Sequence, residues 1–274
     1  MIVKAFFYIL SLSPTVEEKF WKWWYQRLAA SYRKKDWRFM NYGYVPVGNA
    51  PKLLLKPEDE LDRLFIQLYN HVLEGIDLKG KTLLEVGSGR GGGADFAARY
   101  FSPASVTGID LSKNAVELSR QFFQAPQLHF VEGSAEKLPF PDNQFDVVFN
   151  VESSHCYGNM QAFVDEVERV LKPGGIFAWA DLRLKEEMVK VVRTFDNSPL
   201  HLISKEEITP NVIEALTQIS AFKEKEIKEK VPFLWRHFFS EFAGVKHSKI
   251  YKAFLRGDFV YWTYRFKKKD GNFY

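Results

Sequence analysis

The sequence holds one cysteine, Cys156, in 274 residues. A single thiol cannot close an intramolecular disulfide, so a stapled secreted scaffold is excluded and a reducing compartment, the cytoplasm, is expected. Long apolar runs are missing as well. Ala5 to Leu12 is apolar, but so short a run cannot cross a hydrocarbon core, which takes about 20 residues. Lys4 precedes it, yet no small-residue cleavage site follows, so a secretory leader is not expected. Neither sign of charge dominates: 38 basic and 34 acidic residues leave +4, and no stretch is basic enough for a nucleic-acid face. Lys267, Lys268 and Lys269 read as a solvated tail and Lys223–Lys230 (KEKEIKEK) as an exposed helix face. Internal repeats and low-complexity segments are absent.

What is present is a large apolar fraction, 46% of residues, enough for one sizeable core. Residues 13–38 have the pattern of a first helix: Thr15 and Glu18 form a capping box, and Val16, Phe20, Trp23, Trp24 and Leu28 recur at helical spacing. Four of the seven tryptophans lie between Trp21 and Trp37. Packing against the domain, one wall of an apolar acceptor pocket, and a membrane-surface helix with Lys19, Lys22 and Arg27 on its polar side all remain open. Asn41–Pro51 carries turn residues and reads as a loop. A second helix is expected over Glu58–Glu74, with Leu61, Leu64, Phe65, Leu68 and Val72 inward and Gly75 as its stop.

Strands and helices then alternate, which implies a mostly parallel sheet covered on both faces. Strands are expected at Thr82–Val86, Ser105–Asp110, Leu128–Glu132, Phe145–Val151 and Ile176–Asp181. Helices are expected at Ser112–Phe123 and Met160–Leu171, with Pro173, Gly174 and Gly175 as a turn. Beyond Arg183, Leu184–Phe195, Lys205–Phe222, Pro232–Phe242 and Ser248–Leu255 look helical, and only Phe259–Phe266 reads as a strand. No sixth strand is evident before it. The expected layout is a helical segment over 1–78 covering the site, a nucleotide core at 79–183, a helical cap and acceptor region at 184–257, and a final strand and tail at 258–274.

The core opens on LLEVGSGRGGG, Leu83–Gly93: a short buried strand, a glycine-dense loop, then a helix. That is the geometry of a nucleotide site at the carboxyl end of a parallel strand. Gly87, Gly89 and Gly92 match the dinucleotide fingerprint, while Gly87, Gly89 and Gly91 match G-x-G-x-G equally well. Glu85, expected inside the cleft, disfavours a pyrophosphate and favours a ligand bearing an ammonium and a sulfonium. Asp110 ends the second strand, about twenty residues on, where an acid accepts from both ribose hydroxyls. That acid suits NAD and S-adenosylmethionine (SAM) alike.

The glycine stretch resembles motif I of the class I SAM-dependent methyltransferases. GSAEKLPF (Gly133–Phe140), FDVV and LKPGG (171–175) follow in the order of that family's G-D-A-x-x-L-P-F, F-D-x-V and L-K-P-G-G. The resemblance implies a Rossmann-like α/β fold and SAM as cofactor. It implies that Glu85, Gly87, Ser88, Gly89 and Gly91 line the cofactor, with Asp110 and Leu111 at the ribose. Ser134, Ala135 and Glu136 then fall by the adenine, and Asn150 closes the set. Ser134 replaces the family's Asp, so that contact should be weaker. LEVGSGRGGG, PASVTGIDLS, NVESSHCY and WADLR further resemble the phthiotriolone/phenolphthiotriolone dimycocerosate O-methyltransferases of lipid synthesis, along most of the chain. This implies methyl transfer to a hydroxyl of an apolar lipid- or polyketide-type small molecule, the one partner expected besides a membrane surface. A C- or N-methyltransferase of a quinone, sterol or other natural product, and a SAM-binding scaffold without transfer, stay open as alternatives; so does the oligomeric state.

An alcohol acceptor must lose its proton as the bond forms, so a base is needed. His155, just past the fourth strand, is the leading candidate, with an ordinary pKa of about 6.5. Glu152 could orient its ring or take the proton itself. Asp181, at the end of the fifth strand, is the other carboxylate expected in the cleft, unless it caps the next helix. No metal is expected: Asp181 lacks an adjacent acidic or amide partner, and His129, His201, His237 and His247 lack ligand spacing.

Overall fold

The central strands are hydrophobic throughout because both of their faces are covered, the signature of a parallel sheet. The computed structural model of the protein describes residues 37–48, 51–231, 236, 239–241 and 243–270. After an extended segment, a 3-10 turn (Pro57–Asp62) leads into α1 (Arg63–Leu73). The core follows as β1 (Thr82–Val86), α2 (Gly92–Tyr100), β2 (Ser105–Asp110), α3 (Lys113–Phe122), β3 (Leu128–Glu132) and β4 (Phe145–Val151). Then come α4 (Met160–Val170), β5 (Leu171–Leu184), α5 (Lys185–Asp196), β6 (His201–Glu207), α6 (Thr209–Lys230), α7 (Lys249–Arg256) and β7 (Phe259–Lys267). The sheet order is β3-β2-β1-β4-β5-β7-β6, with β7 antiparallel to both its neighbours. Reversal of chain order between β1 and β4 opens a crevice at their carboxyl ends.

Local chemistry sets the helix ends. Ser112, Asn159 and Ser248 cap α3, α4 and α7 by accepting from the N–H groups of Ala115, Ala162 and Tyr251 at 3.3, 3.0 and 3.1 Å. Gly257, at φ +75°, closes α7. One core lies between α1, α2 and the face of the sheet bearing Leu83, Val147 and Phe149. The other joins α4 and α5 to the face bearing Leu84, Val86, Val148 and Trp179.

Several expectations are corrected. β6 exists, and the helix expected from Lys205 starts at Thr209. Every residue of β6 is exposed and its pairing with β7 slips between Leu202 and Ser204, so no apolar alternation marks it. The region after residue 184 is therefore not a purely helical insertion. β5 is longer than expected, and Pro173–Gly175 forms a kink within it rather than a turn before it, with Gly174 at φ +74°. Leu61 is 88% exposed, not inward: it lies in the 3-10 turn, whose three-residue period shifts its phase from that of α1. The expected first helix lies outside the described residues up to 36, and Trp37 and Arg38 are not helical. The expected helix over 232–242 is described only at 236 and 239–241, which are helical.

Candidate active site

The loop after β1 is a set of backbone turns that only glycine accommodates. Gly87 stands at φ +73°, and a Cβ there would collide with the Ser153 and Tyr157 hydroxyls. Gly91, at φ +82°, caps α2 in the left-handed conformation. The Asp110 carboxylate closes this loop, accepting from the Gly89 N–H at 2.8 Å and the Ser112 N–H at 2.8 Å. A carboxylate has about four lone-pair sites, so two remain for a ligand's hydroxyls. Leu111 follows it, half-buried.

Glu85 departs from its expected place in the open cleft. It is fully buried beneath the start of α2, and its Oε1 accepts from the Tyr69 hydroxyl at 2.8 Å. Among the described residues its Oε2 has no partner; nor do the buried Ser88 Oγ and Asn150 Oδ1. Burial pushes the Glu85 carboxyl up to about 8, against the hydrogen bonds it accepts from Tyr69 and the Ala94 N–H. Asn150 donates to Val86 O at 2.9 Å and to Ser153 Oγ at 2.7 Å, fastening the end of β4 to the loop. Polar atoms without partners beside a glycine cradle are what a polar ligand with N–H donors would satisfy. Ser134 accepts weakly from the Glu136 N–H at 3.2 Å, Ala135 is buried, and Glu136 accepts from Gly158 N–H at 2.8 Å and Asn159 N–H at 3.1 Å.

Just past the end of β4 the structure brings His155 to Asp181, which lies inside β5, a strand that runs on to Leu184, rather than at its end as expected. His155 sits in a 3-10 turn, Ser154–Cys156, and its Nδ1 lies 2.8 Å from Asp181 Oδ1. Asp181 is fully buried and caps no helix. It accepts from Ser154 Oγ at 2.6 Å, the His155 N–H at 2.9 Å and the Leu182 N–H at 2.8 Å, and pairs with Arg183 at 2.9 Å. Burial works against its charge, but Arg183 and His155 hold its carboxyl well below the usual carboxylate range. Burial likewise opposes a charged His155, but Cys156 and Asp181 together raise it well above 6.5. Nδ1 is held by Asp181, the Cys156 thiol also hydrogen-bonds the ring, and the side chain stays 31% exposed.

Glu152 does not hold the His155 ring; Asp181 does. Its Oε2 accepts from the Tyr42 N–H at 2.9 Å and the Tyr261 hydroxyl at 3.0 Å. Its backbone is in the left-handed region at φ +50°, a strained place for a residue with a side chain. Low-dielectric surroundings push its carboxyl up to about 8.

Sequence reasoning missed the strap formed by residues 37–44. Arg90, in the glycine loop, donates to Trp37 O and stacks over the Trp37 ring at 5.2 Å. Arg38 pairs with Asp59 at 2.9 Å and Asp62 at 2.6 Å. Met40 approaches Gly89, and Tyr42 reaches Glu152. One signal was available: Tyr42 and Tyr44 stand among turn residues, and aromatic side chains in a loop ask to be buried, as both are. Lys223, read as part of an exposed face, is half-buried; it donates to Ala243 O at 3.0 Å and lies over the Tyr42 and Phe65 rings at 5.8 and 5.3 Å. Among the described residues no helix is long and apolar enough to cross a membrane, and no three His, Cys, Asp or Glu side chains cluster as metal ligands.

Residues 84–179 match the family model described as a methyltransferase domain. The chain is 35% identical to the phthiotriol/phenolphthiotriol dimycocerosates methyltransferase of Mycobacterium tuberculosis, over 93% of this chain and 94% of that one. It is 38% identical to a fatty-acid O-methyltransferase of Mycolicibacterium smegmatis, over 77% and 76%. Among solved structures, a geranyl diphosphate methyltransferase in complex with GPP and sinefungin superposes with a TM-score of 0.65 at 18% identity, covering 89% of this chain and 98% of that one, a likeness of fold. A methyltransferase-domain match on the glycine loop and β4, joined to identity with a methyltransferase along nine-tenths of both chains, means that this chain belongs to the class I SAM-dependent methyltransferases.

Proposed function

We propose that the protein is an O-methyltransferase that moves a methyl group from SAM to a hydroxyl of an apolar lipid- or polyketide-type molecule. The observation that carries this reading is the His155–Asp181 pair, set beside the last β4–β5 ladder pair. SAM supplies a methyl group that its sulfonium already activates. Gly87, Ser88, Gly89 and Gly91 would hold it through the loop, Asp110 and Leu111 at the ribose, Ser134, Ala135 and Glu136 at the adenine, and Glu85 and Asn150 at the amino-acid end.

The chain's own work is to fix the acceptor oxygen and remove its proton. Orientation contributes up to roughly 7–11 kcal/mol in favourable cases. Neutral His155 accepts the hydroxyl proton at Nε2, and Asp181 stabilises the imidazolium that results, as an orienting carboxylate does for any histidine base. Tyr42, packed edge-on against Phe254 at 6.0 Å, and Lys223 belong to the roof under which the acceptor would lie. The names of the lipid-methylating relatives support an apolar acceptor.

The test is transfer of labelled methyl from SAM into a lipid and polyketide extract. Label is expected in an organic-soluble, alkali-stable ether; label in an alkali-labile ester would make the acceptor a carboxylate instead. His155→Ala should slow transfer by ~10²–10⁴-fold while SAM binding by calorimetry is unchanged. Full turnover in that variant would remove His155 from the mechanism, and no labelled organic product would remove the lipid reading.

A further inference from the structure

We propose that Glu85 carries a proton in the cofactor-free protein and releases it to solvent when SAM binds, so that this one carboxyl links cofactor affinity to pH. The proposal rests on the reading that the crevice beyond β1 holds SAM. It concerns what Glu85 does on binding, not whether the crevice binds.

The geometry is that of a carboxyl prepared for a charge that has yet to arrive. Glu85 is fully buried, and among the described residues Oε2 has no partner. Among the described residues no cation pairs with it. What faces it from each neighbouring element is neutral or acidic: the Tyr69 hydroxyl from α1, the Ala94 N–H from α2, and the Asp110 carboxyl at the end of β2. Tyr69 in turn feels Glu152. An isolated anion in such surroundings takes up a proton rather than bear the cost of desolvation, and the carboxyl is pushed up to about 8 accordingly. A ligand with an ammonium and a sulfonium reverses the balance: its charges favour the carboxylate, and the displaced proton passes to the buffer. Gly93 packs so close to the Tyr69 ring and to Glu85 Oε1 that no Cβ fits there, and the carboxyl is fully buried. The ligand's charge, not rehydration, is then what ionises it.

Proton-linked calorimetry tests this. SAM is titrated into the protein at pH 7 in two buffers of different ionisation enthalpy. About one proton should be released per SAM bound, and affinity should rise by up to about tenfold per pH unit below the point where the free carboxyl ionises. Methylthioadenosine, which has neither ammonium nor sulfonium, should bind without releasing a proton. S-adenosylhomocysteine, which keeps the ammonium alone, separates the two charges. Glu85→Gln, a mimic of the protonated acid, should abolish the release and flatten the affinity profile. Equal apparent heats in both buffers, or release that persists in Glu85→Gln, would overturn the proposal and leave the cofactor reading standing. No SAM binding at any pH would remove both.

Should Glu85→Gln fail to fold, infrared difference spectra of the wild type keep the proposal falsifiable. The band of a protonated carboxyl should disappear on SAM binding, and Tyr69→Phe, which removes the hydroxyl bonded to Oε1, should shift that band. A band that survives SAM, or one indifferent to Tyr69→Phe, would rule Glu85 out.

Discussion

Asp181 and Glu152 stand side by side where the β4–β5 ladder stops, both withdrawn from water, and they meet opposite fates. Asp181 has Arg183 and His155 beside it and stays a carboxylate. Glu152 has a backbone N–H and a tyrosine hydroxyl, and it holds its proton up to about 8. Burial opposes ionisation in both, so the nearest partner decides the outcome. The ionised member can stabilise a charged histidine, whereas the protonated one accepts from the strap and from β7.

Replacing each acid by its amide is the sharpest way to break this comparison. Asp181→Asn leaves Arg183 and a raised His155 without their counter-charge inside the protein. Methyl transfer should fall at least ~10²-fold, and chemical denaturation should show a loss of about 3–5 kcal/mol, the usual cost of orphaning a buried charge. Equal losses in Asp181→Asn and Glu152→Gln would erase the distinction.

The pH dependence comes next in size. As the proposed base, His155 must be neutral to act, and its pKa is raised, so kcat/KM should climb about tenfold per pH unit and level off only once that raised pKa is passed. Asp181→Asn, by removing one of the charges that raise it, should move that limb to lower pH. Stability should separate the two acids by sign. Asp181's contribution is present above its unfolded value of 3.8 and is lost as pH falls towards its depressed folded value. Glu152, raised from 4.5 to about 8, contributes most below 4.5 and loses that contribution as pH rises to about 8. Tm measured against pH should therefore flatten on the acid side in Asp181→Asn and on the neutral side in Glu152→Gln.

At pH 6, where Glu152 is already protonated, Glu152→Gln should cost under about 1 kcal/mol, since the amide oxygen can still accept from Tyr42 and Tyr261. The smallest change is Tyr261→Phe, which removes one of those donors and should cost about 1 kcal/mol by denaturant titration.

The parallel core was legible because its signals are local: apolar runs of strand length, glycines in sequence, caps at fixed offsets. β6 was not, since an edge strand exposed on both faces has no period to read. Strand-end reasoning pointed to His155 and Asp181 as cleft residues, although 26 positions separate them. It could not tell which acid the ring would choose, because that depends on how β4 and β5 align. The partners of Glu152 were invisible: Tyr42 and Tyr261 lie 110 and 109 residues away. Glu85 was identified as an acid near the cofactor, but its depth under α2 follows from tertiary packing alone.

Val151 of β4 faces Ala180 of β5 across the ladder, and the Glu152 N–H continues it to Ala180 O at 2.8 Å. The residues that follow, His155 on one side and Asp181 on the other, thus inherit their spacing from backbone alignment and not from a flexible loop. A one-residue deletion in the middle of β5 would send the aspartate to the opposite face of the sheet. Tolerance to insertions and deletions should therefore be poor between Ile176 and Asp181.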